Sequence, residues 1–163
     1  MRLEGSCHCG AVRFSLESRG AAPYQRCYCS ICRKTQGGGG FAINLGGDAK
    51  SLRVTGRKAV SVYRALLPAK DGRRRLRSTA ERHFCSLCGS VLWAFDSRWP
   101  ALIHPFASAI DTPLPLPPQR THLMLGSKAA WVEPEIRAGD KCFDGYPDES
   151  IADWHARHGL ATP

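Results

Sequence analysis

Seven of the eight cysteines in this 163-residue chain fall into three short groups whose spacings are typical of metal ligands. The groups are Cys7-His8-Cys9-Gly10, Cys27-Tyr28-Cys29-Ser30-Ile31-Cys32 and Cys85-Ser86-Leu87-Cys88-Gly89. Cysteine thiolates are preferred ligands of Zn²⁺, and a Cys-x-x-Cys pair can wrap a tight turn around such an ion. The eighth cysteine, Cys142, matches no motif, and we expect it to be a buried apolar residue.

Seven thiolates cannot complete two sites of four ligands, so the count favours one site of four and one of three. Structural zinc takes four protein ligands, whereas catalytic zinc keeps three and leaves the fourth position to water or substrate. Cys7 and Cys9, at i and i+2, are expected on one face of a strand. The natural division gives a closed site to the outer pairs, Cys7, Cys9, Cys85 and Cys88, and leaves Cys27, Cys29 and Cys32 as an open site.

Spacing alone leaves other arrangements open. A single tetrathiolate of Cys29, Cys32, Cys85 and Cys88 would bind one zinc or a rubredoxin-like iron. Alternatively, a fourth ligand would close the central group and make both zincs structural; the candidates are His8, His83, His104 and Cys142. Disulfides are disfavoured if the protein is cytoplasmic, because thiols are kept reduced there.

The composition is that of an ordinary globular protein, with 43% hydrophobic and 23% charged residues. The length predicts one domain over residues 1–163, with a core at about 3–133 and a C-terminal extension over 134–163. No stretch approaches the roughly 20 apolar residues that span a bilayer, and the N-terminus lacks a secretory h-region. We therefore expect a cytoplasmic protein with no membrane partner.

Positive charge is concentrated in the segment 57–82, which holds nine Lys/Arg against two acidic residues in a chain of formal net charge +9. One interpretation is a solvated hairpin tip, since Asp71-Gly72 is a strong turn signal. The other is contact with nucleic acid or an acidic partner. Tyr63 is the one aromatic residue in this segment, so stacking on single-stranded bases is poorly supported.

Alternating apolar residues predict many short strands and a mainly antiparallel all-β domain. Val12, Phe14 and Leu16 begin the pattern, which continues in FAINL, SLRVTG, AVSVYRAL, STAERHFC, SVLWAF, ALIHPFASAI and THLMLG. Two helices are expected. SICRKTQ follows Cys29 and is closed by Gly37. DESIADWHARHG is capped by Asp148 or Ser150 and ends at Gly159.

The order of the cysteine motifs closely resembles the glutathione-dependent formaldehyde-activating (GFA) family, which includes S-(hydroxymethyl)glutathione synthase-like and centromere protein V-like proteins. GSCHCGAVRF, CYCSICRKT and FCSLCGS carry the resemblance, and SKAAWVE is similar to the family's SK-x-x-W segment. The resemblance extends from Gly5 to about Trp131. Tyr28 departs from it, since many members have histidine there.

The resemblance implies a β-tent fold, in which twisted antiparallel sheets surround a tetracysteine zinc and the helices are short and peripheral. It assigns the structural zinc to Cys7, Cys9, Cys85 and Cys88 and a catalytic zinc to Cys27, Cys29 and Cys32. The implied activity is condensation of glutathione with formaldehyde or another small aldehyde, a carbon-sulfur lyase reaction in reverse.

Chemistry at the open site requires more than the metal. A substrate thiol would become the fourth ligand, and Arg33 and Lys34 would offset the charge of the thiolates or bind a glutathione carboxylate. Tyr28, His83 and His104 are candidates for the acid that protonates the product oxygen. The glycines 37–40 form either a turn into the next strand or a backbone nest for a carboxylate. The alternative to an enzyme is a zinc-stabilised binding module, either a glutathione carrier or a protein that binds partners through residues 57–82.

Overall fold

A computed structural model describes residues 1–36, 38–69 and 71–160. These residues form twelve β-strands and two short α-helices, which confirms the predicted mainly β fold. The strands are β1 (Arg2–Ser6), β2 (Arg13–Glu17), β3 (Tyr24–Cys27), β4 (Ala42–Asn44), β5 (Gly47–Asp48), β6 (Arg53–Thr55), β7 (Val60–Pro68), β8 (Arg75–Cys85), β9 (Val91–Asp96), β10 (Leu102–Pro105), β11 (Arg120–Leu123) and β12 (Lys141–Cys142). The helices are α1 (Ser30–Gln36) and α2 (Ile151–Arg157).

The first sheet has the order β1-β2-β6 and is antiparallel throughout. The predicted alternation of β2 is present, with Phe14 and Leu16 buried. The alternation does not predict its partner β1, because glycine occupies an inward position there. A Cβ at Gly5 would lie 2.5 Å from the Phe14 ring, so a side chain at that position would displace the core aromatic residue.

The second sheet has the order β5-β10-β9-β8-β7, and its strands pair antiparallel. Its longest strands, β7 and β8, form the predicted hairpin. Asp71 Oδ1 accepts the amide of Arg73 at 3.0 Å, and Gly72 has φ of 66°. The hairpin tip is exposed, but the basic segment is not uniformly solvated, because Arg82 on β8 is buried. Lys70, one of the nine basic residues of segment 57–82, lies outside the described residues.

The third sheet has the order β12-β11-β3-β4 and is mixed. β3 pairs antiparallel with β4 but parallel with β11, which also pairs parallel with β12. β3 carries no alternating pattern: Tyr24 and Cys27 are buried and the two residues between them are half-buried. The sequence therefore does not predict β3 or its pairing with β11, although it does predict β11 as a strand.

The main core lies between the first two sheets. Its buried residues are mostly large apolar side chains, among them Leu3, Phe14, Leu16, Leu92, Trp93 and Ile103. Phe14 and Trp93 meet edge to face, with ring centroids 5.1 Å apart. A second, smaller cluster contains Cys27, Cys32, Ala42, Phe106 and Leu123. The second sheet thus has the main core on one side and a cysteine-containing cluster on the other.

Both predicted helices are present. α2 begins after Ser150, whose hydroxyl accepts the Asp153 amide at 3.0 Å, and Gly159 follows its end with φ of 68°. The spacing of Ile151, Trp154, His155 and His158 predicts one inward face; the first three are buried, whereas His158 is exposed and stacks on the Trp154 ring. For α1, the proposed cap Gly37 lies outside the described residues. Neither described helix has the length and apolar character that a membrane-spanning helix needs.

Candidate metal centres

Four cysteine sulfurs from two distant turns lie together at one end of the first two sheets. The Sγ atoms of Cys7, Cys9, Cys85 and Cys88 all lie within 4.8 Å of one another. Cys7 and Cys85 are fully buried, whereas Cys9 and Cys88 are exposed. The cluster therefore joins the chain segment after β1 to the turn between β8 and β9.

Two similar turns present these four sulfurs. Gly10 donates its amide to the Cys7 carbonyl at 2.9 Å, and Gly89 donates to the Cys85 carbonyl at 2.8 Å. Both glycines have φ of 75°, a conformation that a side chain would strain. The expected strand geometry for Cys7 and Cys9 is wrong, because these residues lie in a turn that follows β1.

The geometry of this cluster fits a tetrahedral zinc. Four sulfurs at about 2.3 Å from a zinc ion are separated by about 3.8 Å. Cys7 Sγ and Cys9 Sγ are 3.5 Å apart, and Cys9 Sγ and Cys85 Sγ are 3.8 Å apart. The Val12 amide also donates to Cys7 Sγ at 3.2 Å, a contact that favours a thiolate. All eight cysteines are free thiols among the described residues.

A second cluster holds three sulfurs, those of Cys27, Cys29 and Cys32, again within 4.8 Å of one another. Cys27 ends β3, Cys29 precedes α1, and Cys32 lies in the first turn of α1. Cys27 and Cys32 are buried, while Cys29 is partly exposed. Among the described residues no histidine, carboxylate or fourth thiol joins this group. The alternative tetrathiolate of Cys29, Cys32, Cys85 and Cys88 is therefore not assembled.

The three thiols are not equivalent as acids. The hydrogen bond between Cys27 and Cys29 lowers the pKa of Cys29 and raises that of Cys27, and burial raises the Cys27 value further. The backbone amide of Cys32 lies 3.4 Å from Cys29 Sγ, at the start of α1, and also lowers the pKa of Cys29. These contacts favour the thiolate form at the partly exposed Cys29 sulfur.

The two cations that follow the last cysteine differ in their surroundings. Cys29, Cys32, Arg33 and Gln36 fall at i, i+3, i+4 and i+7, so they share one face of the α1 segment. Arg33 is partly buried, and its Nε has no hydrogen-bond partner among the described residues. Lys34 is exposed on another face. Arg33 is the better placed of the two for a ligand held at the cysteines.

A third cation, Arg82, lies closer to these thiols, and sequence reasoning did not select it. Its Nη2 donates to Cys32 Sγ at 3.7 Å, and the residue is only 8% exposed. The sequence does contain a signal: Arg82 alternates with Glu81 and His83 in β8, which places it on the opposite face of the strand. The other basic residues of segment 57–82 hide this alternation, so the sequence alone does not distinguish Arg82 from them.

Tyr28 stands between two of the cysteines but its side chain is occupied elsewhere. Its hydroxyl is 2.9 Å from His122 Nδ1, and His122 Nε2 is 3.1 Å from Asp140 Oδ2. Arg120 forms an ion pair with the same Asp140 oxygen at 2.9 Å. The backbone amides of Arg137 and Arg120 also donate to Asp140, and together these contacts hold its pKa well below its usual range. These buried groups form a chain of contacts that anchors β3 to β11.

The other candidate acids and ligands also have partners of their own. His83 is 3.0 Å from Glu81 and borders a cavity of about 410 Å³ on the opposite side of β8 from Arg82. His104 donates to the Leu45 carbonyl at 3.2 Å. Cys142 is exposed on β12, so the expectation that it is buried is wrong. Among glycines 38–40, positive φ values at Gly38 and Gly40 indicate a turn into β4.

Comparison with known proteins connects these two clusters to one family. The family model of the glutathione-dependent formaldehyde-activating enzyme matches residues 2–126. A protein of Halomonas elongata, named provisionally as a glutathione-dependent formaldehyde-activating enzyme, is 64% identical over 160 residues, which cover 98% of each chain.

The fold is also represented among solved structures. A crystal structure of a Rhodobacter sphaeroides protein is 26% identical, with a TM-score of 0.52, and the match covers 70% of this chain and 97% of that one. The family match covers most of the chain and includes all seven clustered cysteines. The chain therefore belongs to the glutathione-dependent formaldehyde-activating enzyme family.

Proposed function

We propose that this protein condenses glutathione, or a closely related thiol, with formaldehyde or another small aldehyde, at a zinc held by Cys27, Cys29 and Cys32. The product carries a new carbon-sulfur bond, and the reverse reaction is that of a carbon-sulfur lyase. The observation that carries this proposal is the difference between the two clusters: one offers four sulfurs and the other three. Three protein ligands and one open position are typical of catalytic zinc.

The three-cysteine cluster has the donor chemistry for this role. When bound there, zinc would hold the substrate sulfur and favour its thiolate form. Cys29 is partly exposed, so a ligand can reach the cluster from solvent on that side. Cys27 and Cys32 pack against Ala42, Phe106 and Leu123, and these apolar neighbours keep the inner side of the cluster dry.

The thiol substrate also needs groups that bind its charged ends. Glutathione carries two carboxylates, both several bonds from its sulfur. Arg33 lies on the cysteine face of α1 with an unpaired Nε among the described residues, and Lys34 is exposed next to it. We assign these two residues to a carboxylate of the thiol, with Arg33 as the stronger contact because its planar group can bind bidentately.

The four-cysteine cluster would hold a second zinc with a structural role. Its ligands come from the turn after β1 and the turn between β8 and β9, more than seventy positions apart. A zinc there closes a long loop, so its binding energy contributes directly to folding. The eight free thiols fit a reducing compartment such as the cytoplasm.

The test of this function measures exchange between ¹³C-formaldehyde and S-(hydroxymethyl)glutathione by two-dimensional exchange NMR. The reaction also runs without protein, so the readout is the rate above the uncatalysed rate. We expect two zincs per chain by metal analysis and a clear acceleration. Cys29→Ser is expected to lose one zinc and the acceleration while the protein remains folded.

Cys85→Ser is the matched variant at the other cluster. It is expected to lose the structural zinc and to lower the melting temperature by roughly 10 °C or more, because a folding constraint is lost. One zinc per chain, or no acceleration by the metal-loaded wild type, would contradict the proposal. Tight glutathione binding without acceleration would point instead to a glutathione carrier.

A further inference from the structure

Arg82 is a buried cation with unused hydrogen-bonding groups beside the three-cysteine cluster. Its Nη2 donates to Cys32 Sγ at 3.7 Å. Its Nε and Nη1 are also buried, and neither has a hydrogen-bond partner among the described residues. An arginine side chain has five N–H donors in one plane, so most of the capacity of this group is unsatisfied.

The acid nearest in sequence, Glu81, does not neutralise Arg82. Glu81 precedes it on β8, but its carboxylate faces the other side of the sheet, where it pairs with Arg64 and lies 3.0 Å from His83. Across the sheet, Arg82 is paired with Ala94, which packs against the cysteine cluster. Arg82 therefore sits against an apolar wall and contacts the three-cysteine cluster through Cys32.

Such an arrangement is costly unless an anion completes it. A buried donor without an acceptor costs about 1–3 kcal/mol, and a buried unpaired charge costs more. A zinc with three thiolates would carry one net negative charge. That charge would offset the charge of Arg82, but the sulfurs would accept few of its N–H groups. The free donors call for an oxygen acceptor within a few ångströms of the sulfurs.

The proposed reaction brings one such oxygen to this position, and the inference rests on that function. As the thiol sulfur attacks the aldehyde, the C–S bond forms and the π electrons of the C=O bond move onto oxygen. That oxygen is two bonds from the sulfur, whereas the carboxylates of glutathione are much farther away. A buried cation at the sulfurs can contact the aldehyde oxygen but not the carboxylates.

We propose that Arg82 is a catalytic residue that hydrogen-bonds the aldehyde oxygen and stabilises its negative charge as the C–S bond forms. The oxygen then takes a proton from solvent, which balances the proton that the thiol released on becoming a thiolate, and the product leaves as the hydroxymethyl thioether. Arginine stays protonated throughout, so it acts as a hydrogen-bond donor and a charge and not as the acid. No oxidant or reductant is involved.

The first test uses binding and does not depend on turnover. Thioglycolate carries an anionic oxygen three bonds from its sulfur, whereas ethanethiol has none. By isothermal titration calorimetry, the zinc-loaded wild type is expected to bind thioglycolate at least about tenfold more tightly than ethanethiol, the scale of one charge-assisted hydrogen bond. Arg82→Met is expected to reduce that preference to about twofold or less.

Arg77→Met is the matched control, because Arg77 is an exposed arginine on the same strand. It should retain the wild-type preference. A preference that survives in Arg82→Met, or wild-type affinities that are equal for the two thiols, would overturn the role of Arg82 and leave the proposed function standing. A wild type that binds neither thiol would overturn the proposed function and the role of Arg82 with it.

The second test measures exchange kinetics. Removing one donor to a developing oxyanion lowers kcat by about 10²–10³-fold, so Arg82→Met is expected to fall in that range while the KM for glutathione changes by less than about threefold. Arg82→Lys keeps the charge and guards against misfolding of the methionine variant. It should recover only part of kcat, because lysine lacks the planar fork. An unchanged kcat in a folded Arg82→Met protein would refute the proposal.

Discussion

Tyr28 lies between Cys27 and Cys29 in the chain, and its hydroxyl contacts His122 instead of the metal ligands. His122 Nε2 faces Asp140, which is ionised because its pKa is strongly lowered, so this nitrogen carries the proton. Nδ1 must then accept a hydrogen bond, and the Tyr28 hydroxyl donates it. Tyr28 thereby fixes the path of the chain between two of the sulfurs.

Tyr28→Phe is expected to leave His122 Nδ1 buried without a donor. The free energy of unfolding should fall by about 1–3 kcal/mol, the cost of an unsatisfied buried group. Urea denaturation followed by tryptophan fluorescence measures this change. Tyr63→Phe, at a side chain that is 46% exposed, is the control and should change the value by less than about 0.5 kcal/mol. Equal effects of the two substitutions would rule out the anchoring role of Tyr28.

At the scale of elements, turns position the four-cysteine cluster. The turn from β6 toward β7 passes under the segment between Cys7 and β2, where a Cβ at Gly56 would lie 1.8 Å from the Ala11 carbonyl oxygen. Gly56 also has φ of 71°. Close backbone contact and a left-handed conformation together require glycine at this position.

Gly56→Ala is therefore expected to lower the free energy of unfolding by about 2 kcal/mol or more, since both strain and a backbone clash must be relieved. The temperature at which zinc is released should fall with it, because the clash lies at Ala11, and the adjacent Val12 donates its amide to Cys7 Sγ. Thermal denaturation monitored with a zinc-sensitive dye records both changes. Gly145→Ala, at a site with no neighbour within 4 Å and an ordinary φ, should have little effect. A Gly56→Ala protein as stable as this control would contradict the prediction.

At the scale of the whole molecule, burial lowers the pKa of three histidines, His83, His104 and His122. Burial lowers the pKa of His104 below its usual range, although its contact with the Leu45 carbonyl and the charge of Asp96 act in the opposite direction. The unfolded chain therefore takes up a proton on this residue at a higher pH than the native protein does. Stability from this group is complete above about pH 6.5 and declines as the pH falls toward the native pKa.

His104→Gln keeps a donor for Leu45 and removes the titration. Between pH 7 and 5.5, the wild-type free energy of unfolding should decline more steeply than that of the variant. The difference between the two slopes cannot exceed about 1.4 kcal/mol per pH unit for one proton. Metal loss at low pH affects both proteins, so it cancels in the comparison. Identical slopes would show that His104 has the same pKa in both states.

The residue types and their spacing were enough to predict the mainly β class, both helices, the β7–β8 hairpin and the count of four and three cysteines. These are local properties: strand alternation, caps, Asp-Gly turns and metal-ligand spacing act over a few residues. The division of the cysteines between the clusters was open at that level, and the family resemblance narrowed it.

The tertiary structure decided what depends on residues far apart in the chain. The parallel pairing of β3 with β11 joins segments nearly one hundred residues apart, and neither the pattern of β3 nor its length points to that partner. Arg82 reaches Cys32 across 50 positions, so its place beside the thiols follows from the packing of β8 and not from any motif. Metal ligands occur in pairs or triplets with a short spacing that the sequence displays, whereas a buried cation can come from any strand whose side chains face the cluster.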